Sequence, residues 1–269
     1  MSKDATKEFL QSLPEVKPGE QFWFDCHPDV PCFNACCSGL TMPLTPYDVL
    51  RLATGLSMSS EEFIEDYAVP GCYEDTGFPL LHLRMEPPPA RSCPFLTPQG
   101  CSVYAHRSSA CRTYPLGRAT RPADEASGQG IIEQYFLVRE EHCRGFEQKR
   151  SWTIDTWLSD QGIADYNRMN DRYMQLMARY KSVAGGALLS DRHATMLLLC
   201  LYQQDRFLEL INNTALFTRV VFTGEYQNQD RAKVENSIVT DAQSRLWFAF
   251  SWAELVLFGQ SDNISPALP

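Results

Sequence analysis

The chain has 269 residues, of which 44% are hydrophobic and 21% are charged, and its net charge is −9. This length is enough for a sizeable core in one large or two smaller domains, and the acidic balance argues against nucleic acid as a partner. The first twenty residues are polar and show no signal-peptide pattern. The most apolar stretches, Met196–Tyr202 and Leu246–Phe258, are too short to span a membrane, so we expect core helices and no membrane partner.

Cysteine is the unusual component of the composition. Nine of the ten cysteines lie before residue 144. In a small secreted protein this density would indicate disulfides, but no export signal is evident, and adjacent Cys36 and Cys37 cannot pair with each other without severe strain. In a reducing cytoplasm, clustered thiols are more typical of metal ligands. The sequence therefore predicts a cytoplasmic metalloprotein.

In chain order, residues 1–21 are predicted to form a polar N-terminal arm. The next segment, Phe22–Leu40, is a cysteine-containing loop too rich in Pro, Asn, Ser and Gly for regular structure. A helix then begins after Thr45, which is followed by a proline and by Asp48 in the pattern of a capping box. We expect this helix to end at Gly55.

A second capping box opens a short helix over Ser59–Tyr67. The alternating pattern of Pro79–Met85 predicts a strand. The second cysteine region, Cys93–Cys111, follows a run of three prolines. The β-branched and aromatic segment Ile131–Val138 is expected to pair with Tyr114–Ala119 across a turn of polar residues and glycine.

Beyond residue 150 the pattern becomes helical. One helix face is indicated by residues at three- and four-residue spacing: Ile163, Tyr166, Met169, Tyr173, Leu176 and Tyr180. Two more helices are predicted over Asp191 to about Asn212 and over Asp241–Phe258, with Ser190 and Thr240 as candidate caps and Gly259 as a stop.

These elements predict an α+β fold in two domains. Residues 22–150 would form a small cysteine-cluster domain with short helices and a β-hairpin. Residues 151–269 would form a mainly α-helical C-terminal domain.

The first cysteine loop, Cys26-x5-Cys32-x3-Cys36-Cys37, places four soft ligands within twelve residues. A short irregular loop of this kind can wrap around an ion without regular structure. Successive residues of an extended loop point to opposite sides. Cys36 and Cys37 would therefore serve two sites, unless one of them is only structural.

Four further cysteines complete a candidate set of eight, which is twice the number that a tetrahedral ion or a [4Fe–4S] cube requires. The spacings match neither a zinc ribbon nor a ferredoxin run, so they indicate a metal without choosing which one. The candidate ligands are Cys26, Cys32, Cys36, Cys37, Cys93, Cys101, Cys111 and Cys143.

Other residues near this set have simpler interpretations. Cys72 and Cys200 are expected to be small buried hydrophobic residues. Histidines and arginines close to the cysteines can replace a ligand or support one, but in most proteins such residues are outer-shell or exposed. These are His27, His106, His142, Arg107 and Arg112.

An ordered series of motifs resembles the YkgJ-type cysteine-cluster family, which carries a zinc- or iron-chelating CxxCxxCC domain. The series runs from the first cysteine loop through Leu44–Val49 and Cys93–Leu96 to Gly100–Tyr104 and Cys111–Pro115. The resemblance covers about residues 22–146. It implies binding of iron or zinc but supplies no reaction.

The same domain occurs in flagellin lysine methylases, where it is associated with an iron–sulfur cluster. The resemblance therefore favours iron, as an iron–sulfur cluster or an iron ion, with zinc as the alternative. Two functions remain open. One is an accessory, redox or maturation protein that acts with another protein; the other is an enzyme that modifies protein side chains, such as a lysine N-methylase. The sequence contains no hydrolase or nucleotide-binding motif, which favours the first.

Overall fold

The computed structural model describes residues 13–122 and 131–267. Within them the fold is α+β, as predicted. The strands are β1 (Glu15–Val16), β2 (Phe22–Trp23), β3 (Pro43–Leu44), β4 (Ala68–Cys72), β5 (Pro79–Leu83), β6 (Leu96–Thr97), β7 (Gly100–Cys101), β8 (Leu116–Pro122), β9 (Ile131–Leu137), β10 (Ser151–Trp152), β11 (Val220–Phe222) and β12 (Ile264–Pro266). The α-helices are α1 (Pro46–Leu56), α2 (Ser60–Tyr67), α3 (Ser109–Thr113), α4 (Ile154–Asp160), α5 (Ala164–Val183), α6 (Asp191–Leu197), α7 (Gln204–Asn213), α8 (Arg231–Thr240) and α9 (Ala242–Phe258).

The chain divides into two compact units that are both discontinuous in sequence. The first unit contains the described parts of Met1–Leu40, Pro87–Ser102 and Ser109–Asp165. The second unit contains the described parts of Thr41–Glu86, Val103–Ser108 and Tyr166–Pro269. These compact units are not the sequence domains predicted above, whose boundary at residue 150 stays a prediction.

The first unit is built around an antiparallel sheet of order β1-β9-β8. The predicted hairpin is present, with Leu116 opposite Leu137 and Ala119 opposite Gln134. Its connecting turn, residues 123–130, lies outside the described residues. Glu15 pairs with Phe136 at the other side of β9. Part of the segment expected to be a polar arm is therefore a strand; residues 1–12 also lie outside the described residues.

Aromatic side chains fill the core of the first unit. Strands β2 and β10 pair antiparallel, with Trp152 opposite Phe22. Phe24 meets Trp157 edge to face with ring centroids 5.6 Å apart, and the Trp152 indole donates to the Phe24 carbonyl oxygen at 2.8 Å. The cluster consists of Val16, Phe22, Phe24, Leu116, Tyr135, Leu137, Trp152, Ile154 and Trp157. It anchors the chain at the start of the cysteine loop, through Phe22 and Phe24.

The second unit begins with the two predicted capped helices. The Thr45 hydroxyl accepts a hydrogen bond from the Asp48 amide at 3.2 Å, and Ser59 caps α2 in the same way. Both predicted helix starts are therefore confirmed. The end of α1 differs from the prediction, because the helix continues through Gly55 and is closed by Ser57 in the left-handed conformation.

The C-terminal helices of the second unit follow the predicted pattern with two differences. Ser190 caps α6 and Gly259 ends α9 with φ 70°, as expected. The cap of α9 is Asp241 rather than Thr240, and its carboxylate accepts from the Ser244 amide at 2.7 Å. The single helix expected from residue 191 is interrupted by the π-helical segment Leu198–Tyr202.

Buried tyrosines tie these helices to the small sheet β3-β5-β4. The Tyr173 hydroxyl donates to the Pro79 carbonyl oxygen at 2.6 Å, and the Tyr202 hydroxyl donates to the Leu44 carbonyl oxygen at 3.3 Å. Both rings are fully buried. Among the described residues, no helix has the length and apolar character needed to cross a membrane.

Candidate metal centre

The structure divides the ten cysteines between the two units. The eight candidate ligands all lie in the first unit, whereas Cys72 and Cys200 lie in the second. Cys200 is fully buried, as expected, but Cys72 is exposed at the end of β4, so the expectation of burial is wrong for Cys72. All ten cysteines fall within the described residues, and none forms a disulfide.

The first cysteine loop leaves the aromatic core directly after Phe24. Its amide groups are satisfied by short turns, with Val30 N–H donating to the His27 carbonyl and Phe33 N–H donating to the Val30 carbonyl. Asn34 adopts the left-handed conformation and opens a 3-10 turn over Ala35–Cys37. Tight turns of this kind bring cysteines that are far apart in an extended chain onto one side of the loop.

The segment after β9 brings Cys143 beside this loop. The Asp25 amide donates to the Gly145 carbonyl oxygen at 3.1 Å, and the Arg144 amide donates to the Cys32 sulfur at 3.0 Å. Cys143 packs against the aromatic core. Two segments more than a hundred residues apart in sequence therefore meet at the thiols.

One group of thiols consists of Cys26, Cys32, Cys36 and Cys143. Burial, together with electrostatic repulsion from the three other members of the group, raises the pKa of Cys26 to about 11. Burial and a hydrogen bond to Cys143 raise the pKa of Tyr114 above its usual range. His142 and Glu140 also lie in the electrostatic surroundings of Cys36.

A second group consists of Cys37, Cys93, Cys101 and Cys111. The Cys93 amide donates to the Cys37 carbonyl oxygen at 2.7 Å. Cys101 lies on the hairpin of β6 and β7, where it is opposite Leu96, and Cys111 lies on α3. Burial raises the pKa of Cys93 to about 11, and Cys101 and Cys111 contribute repulsion.

The two groups meet at the adjacent residues Cys36 and Cys37. A hydrogen bond from the Cys37 thiol lowers the pKa of Cys36 and raises that of Cys37. Beyond this bond, Cys37 is repelled by Cys93 and Cys111, whereas Cys36 has its other thiol neighbour in Cys26. Cys36 and Cys37 lie in a 3-10 turn and not in an extended loop, so the alternation expected of successive residues does not account for their different neighbours.

The chemistry and the placement of the eight thiols bear differently on metal binding. Eight clustered thiols are the ligands that iron–sulfur clusters and zinc prefer. Across residues 13–122 and 131–267, however, no three cysteine, histidine or acidic side chains converge closely enough to hold one metal ion. The chemistry of the set therefore fits iron or zinc, while a single ion would require the side chains to move together.

Histidines and arginines near the cysteines in sequence have different surroundings. His106 is in the second unit, where Nδ1 lies 3.3 Å from an Arg51 guanidinium nitrogen. His27 and His142 lie beside Asp29 and Glu140 at 3.7 Å and 3.5 Å. In the first unit, an Arg112 guanidinium nitrogen donates to the Gln161 carbonyl at 2.5 Å. This hydrogen bond joins α3 to the end of α4.

Comparison with known proteins bears on this same segment. Residues 25–144 match the model of a family described as a "putative zinc- or iron-chelating domain". The matched model is named CxxCxxCC. The matched segment contains all eight candidate ligands, and the resemblance predicted from the motifs is confirmed. No curated protein and no solved structure shows significant similarity to the chain.

The CxxCxxCC match supports metal binding, and the structure adds two residues that sequence reasoning missed. Tyr114 was noted only as part of a motif, yet it donates to Cys143. Gly145, two residues after Cys143, packs against Phe24 where no side chain would fit. The position of Tyr114 just before the hairpin is a signal that could have been used, because the start of β8 is paired with the end of β9, and Cys143 follows β9.

Proposed function

We propose that the CxxCxxCC segment holds iron as an iron–sulfur cluster through cysteine thiolates, with zinc as the alternative metal. The observation that supports this best is the placement of the cysteines: eight lie in one compact unit, and the remaining two lie in the other. When bound, such a cluster supplies one-electron chemistry. The residues that would hold it are Cys26, Cys32, Cys36, Cys37, Cys93, Cys101, Cys111 and Cys143.

A cluster and a single ion differ in how closely their thiolate ligands must approach one another. The four sulfurs around one zinc each lie about 2.3 Å from the ion and therefore touch one another. A four-iron cube carries its four sulfur ligands on separate corners, so these ligands stand further apart. A single zinc would require thiols that converge on one point, which no three donors among the described residues do.

The proposed role is that of an accessory, redox or maturation protein in the cytoplasm that acts on or with another protein. The net charge of −9 supports a protein partner over nucleic acid. The alternative, a lysine N-methylase, requires a pocket for a methyl donor. A cavity lined by Arg168, Glu225 and Trp247 has a volume of about 250 Å³, which is below the roughly 300–1,000 Å³ of most ligand pockets.

The test is the metal and sulfide content of protein purified without oxygen from cells supplied with iron. We expect iron and acid-labile sulfide in equal amounts, with the broad visible absorption of an iron–sulfur cluster. A colourless preparation with stoichiometric zinc and no sulfide would contradict the cluster and support zinc. Stabilisation of the same preparation by S-adenosylmethionine in a thermal-shift assay would instead favour the methylase.

A further inference from the structure

A small cavity of the second unit is lined by residues of α1, α2, α7 and α9. Its volume is about 140 Å³, and all of its lining residues belong to the unit that contains none of the candidate metal ligands. We propose that this cavity binds a small zwitterionic amino acid such as alanine, with its carboxylate at Arg245 and its ammonium group at Asp205. This inference goes beyond the proposed function and does not depend on it.

Arg245 supplies the positive charge of the site. Only 5% of its surface is exposed. Its Nη1 nitrogen donates to the carbonyl oxygens of Ile238 and Val239 at 3.0 Å and 2.8 Å, at the end of α8, where a cation is favoured. Nε has no partner among the described residues. Asp205 and Asp241 attract the guanidinium, but neither forms an ion pair with it in the part of the chain that the structure describes. Because buried charges are normally paired, this cation calls for an anionic partner.

Two hydrogen-bond acceptors that line the same cavity argue against a simple anion. Asp205 is exposed, and its Oδ2 oxygen accepts from the Ser60 amide at 3.0 Å and from the Ser60 hydroxyl at 3.1 Å. Buried Gln204 donates through Nε2 to the carbonyl oxygens of Cys200 and Leu201, and its Oε1 accepts no hydrogen bond from the described residues. A carboxylate and an unsatisfied amide oxygen favour a ligand that also carries a cationic donor.

The size of the cavity and its apolar wall limit the rest of the ligand. Leu50 and Ala53 of α1 are buried and line the cavity together with Met58. A cavity of about 150 Å³ can hold a ring of six carbon atoms, so the observed volume suits a ligand of about six non-hydrogen atoms. Alanine has this size, and it combines both charges with a methyl group for the apolar wall.

Calorimetric titration of the purified chain with L-alanine, propionate and ethylamine tests the proposal. Propionate is alanine without its ammonium group, and ethylamine is alanine without its carboxylate. We expect saturable binding of one L-alanine per chain, and binding of each analogue about tenfold weaker or less, because one charged contact is missing. Propionate binding as tightly as L-alanine would overturn the zwitterion assignment. A titration with no saturable binding of L-alanine would show that the cavity holds water only and overturn the proposal.

Asp205→Asn separates recognition of the ligand from folding. Asparagine keeps an oxygen for the bonds from Ser60 but removes the charge, so the affinity for L-alanine should fall about tenfold while that for propionate does not fall. Glu209→Gln, also exposed on α7, is the matched control and should bind both as the wild type does. Unchanged affinity for L-alanine in Asp205→Asn would remove Asp205 from the site and overturn the assignment.

Arg245→Lys tests the other end of the site. Lysine keeps the charge but lacks the planar fork that matches a carboxylate, so the affinities for L-alanine and propionate should both fall. Unchanged affinity for both in this variant would contradict a carboxylate at Arg245. Since Arg245 also contacts the end of α8, a variant that fails to fold is replaced as a test by Asp205→Asn. The metal content of Asp205→Asn should equal that of the wild type, which keeps this result distinct from the test of the proposed function.

Discussion

Gly145 illustrates how a single residue positions the candidate ligands. A Cβ atom at this position would lie 2.6 Å from a ring carbon of Phe24 and 2.8 Å from the Asp25 carbonyl oxygen. Both distances are shorter than real Cβ contacts allow, and the second involves backbone that cannot turn away. The absence of a side chain at residue 145 is therefore what lets the segment after Cys143 reach the start of the cysteine loop.

Gly145→Ala should separate these two segments. We expect a loss of about 1–3 kcal/mol in the free energy of unfolding, as for overpacking of a core. We also expect the group of thiols that includes Cys143 to retain metal less well. The measurements are the denaturant midpoint and the metal content after challenge with a chelator. Lys149→Ala, at an exposed position nearby, is the control and should match the wild type. Unchanged stability and retention in Gly145→Ala would show that the backbone adapts without cost.

For single residues, the sequence identifies the candidate cysteine ligands well but identifies poorly the residues that contact or position those cysteines. Clustered thiols are visible because cysteine is rare and its spacing is unusual. The roles of Tyr114 and Gly145 depend on contacts with residues that are distant in the chain, and no local pattern encodes such a contact. The same applies to Arg144, which contributes its backbone amide and could be replaced by almost any residue without loss of that bond.

Among the elements, the starts of α1 and α2 were predictable from the sequence, whereas the end of α1 was not. Thr45 and Ser59 signal their helices through side-chain bonds to amides within three residues, so the information is local. Gly55 was expected to end α1, but it lies inside the helix and faces His106 of the second unit. Gly55 allows His106 to approach the helix closely and does not end the helix. Whether a glycine ends a helix or permits such a contact depends on tertiary structure, which the local sequence does not contain.

Gly55→Ala tests this interpretation of α1. In a solvent-exposed helix, replacing glycine by alanine would raise the free energy of unfolding by about 1 kcal/mol. Here the new Cβ would lie 2.7 Å from His106 Cβ, so we expect a net loss of about 1–3 kcal/mol, seen as a lower denaturant midpoint. Glu65→Ala, exposed on α2, should change stability by less than about 0.5 kcal/mol. Combining Gly55→Ala with His106→Gly, which removes the opposing Cβ, should restore part of the lost free energy of unfolding. If Gly55→Ala alone were more stable than the wild type, the close approach of His106 would be refuted.

The whole molecule combines a unit that contains the candidate ligands with a unit that does not. The first unit has a small aromatic core, and its cysteine loop has turns with few buried side chains of its own. The second unit has a larger core that includes fully buried Tyr173, Tyr202, Phe207 and Phe248. The sequence could not reveal that 41–86 belongs with the later helices, because the pairing depends on contacts such as Tyr202 to Leu44 across more than 150 residues.

This division predicts how the protein responds to loss of metal. Binding free energy at a thiolate site stabilises the folded loop, so a chelator or cluster loss should open the loop over Phe22–Leu40. We expect faster proteolysis and faster amide exchange there, while residues 166–267 keep their protection because their core contains none of the candidate ligands. Limited proteolysis and hydrogen exchange, each followed by mass spectrometry before and after metal removal, measure both regions in one sample. Equal loss of protection in the two regions would show that the chain unfolds as one cooperative unit whose stability depends on the metal throughout.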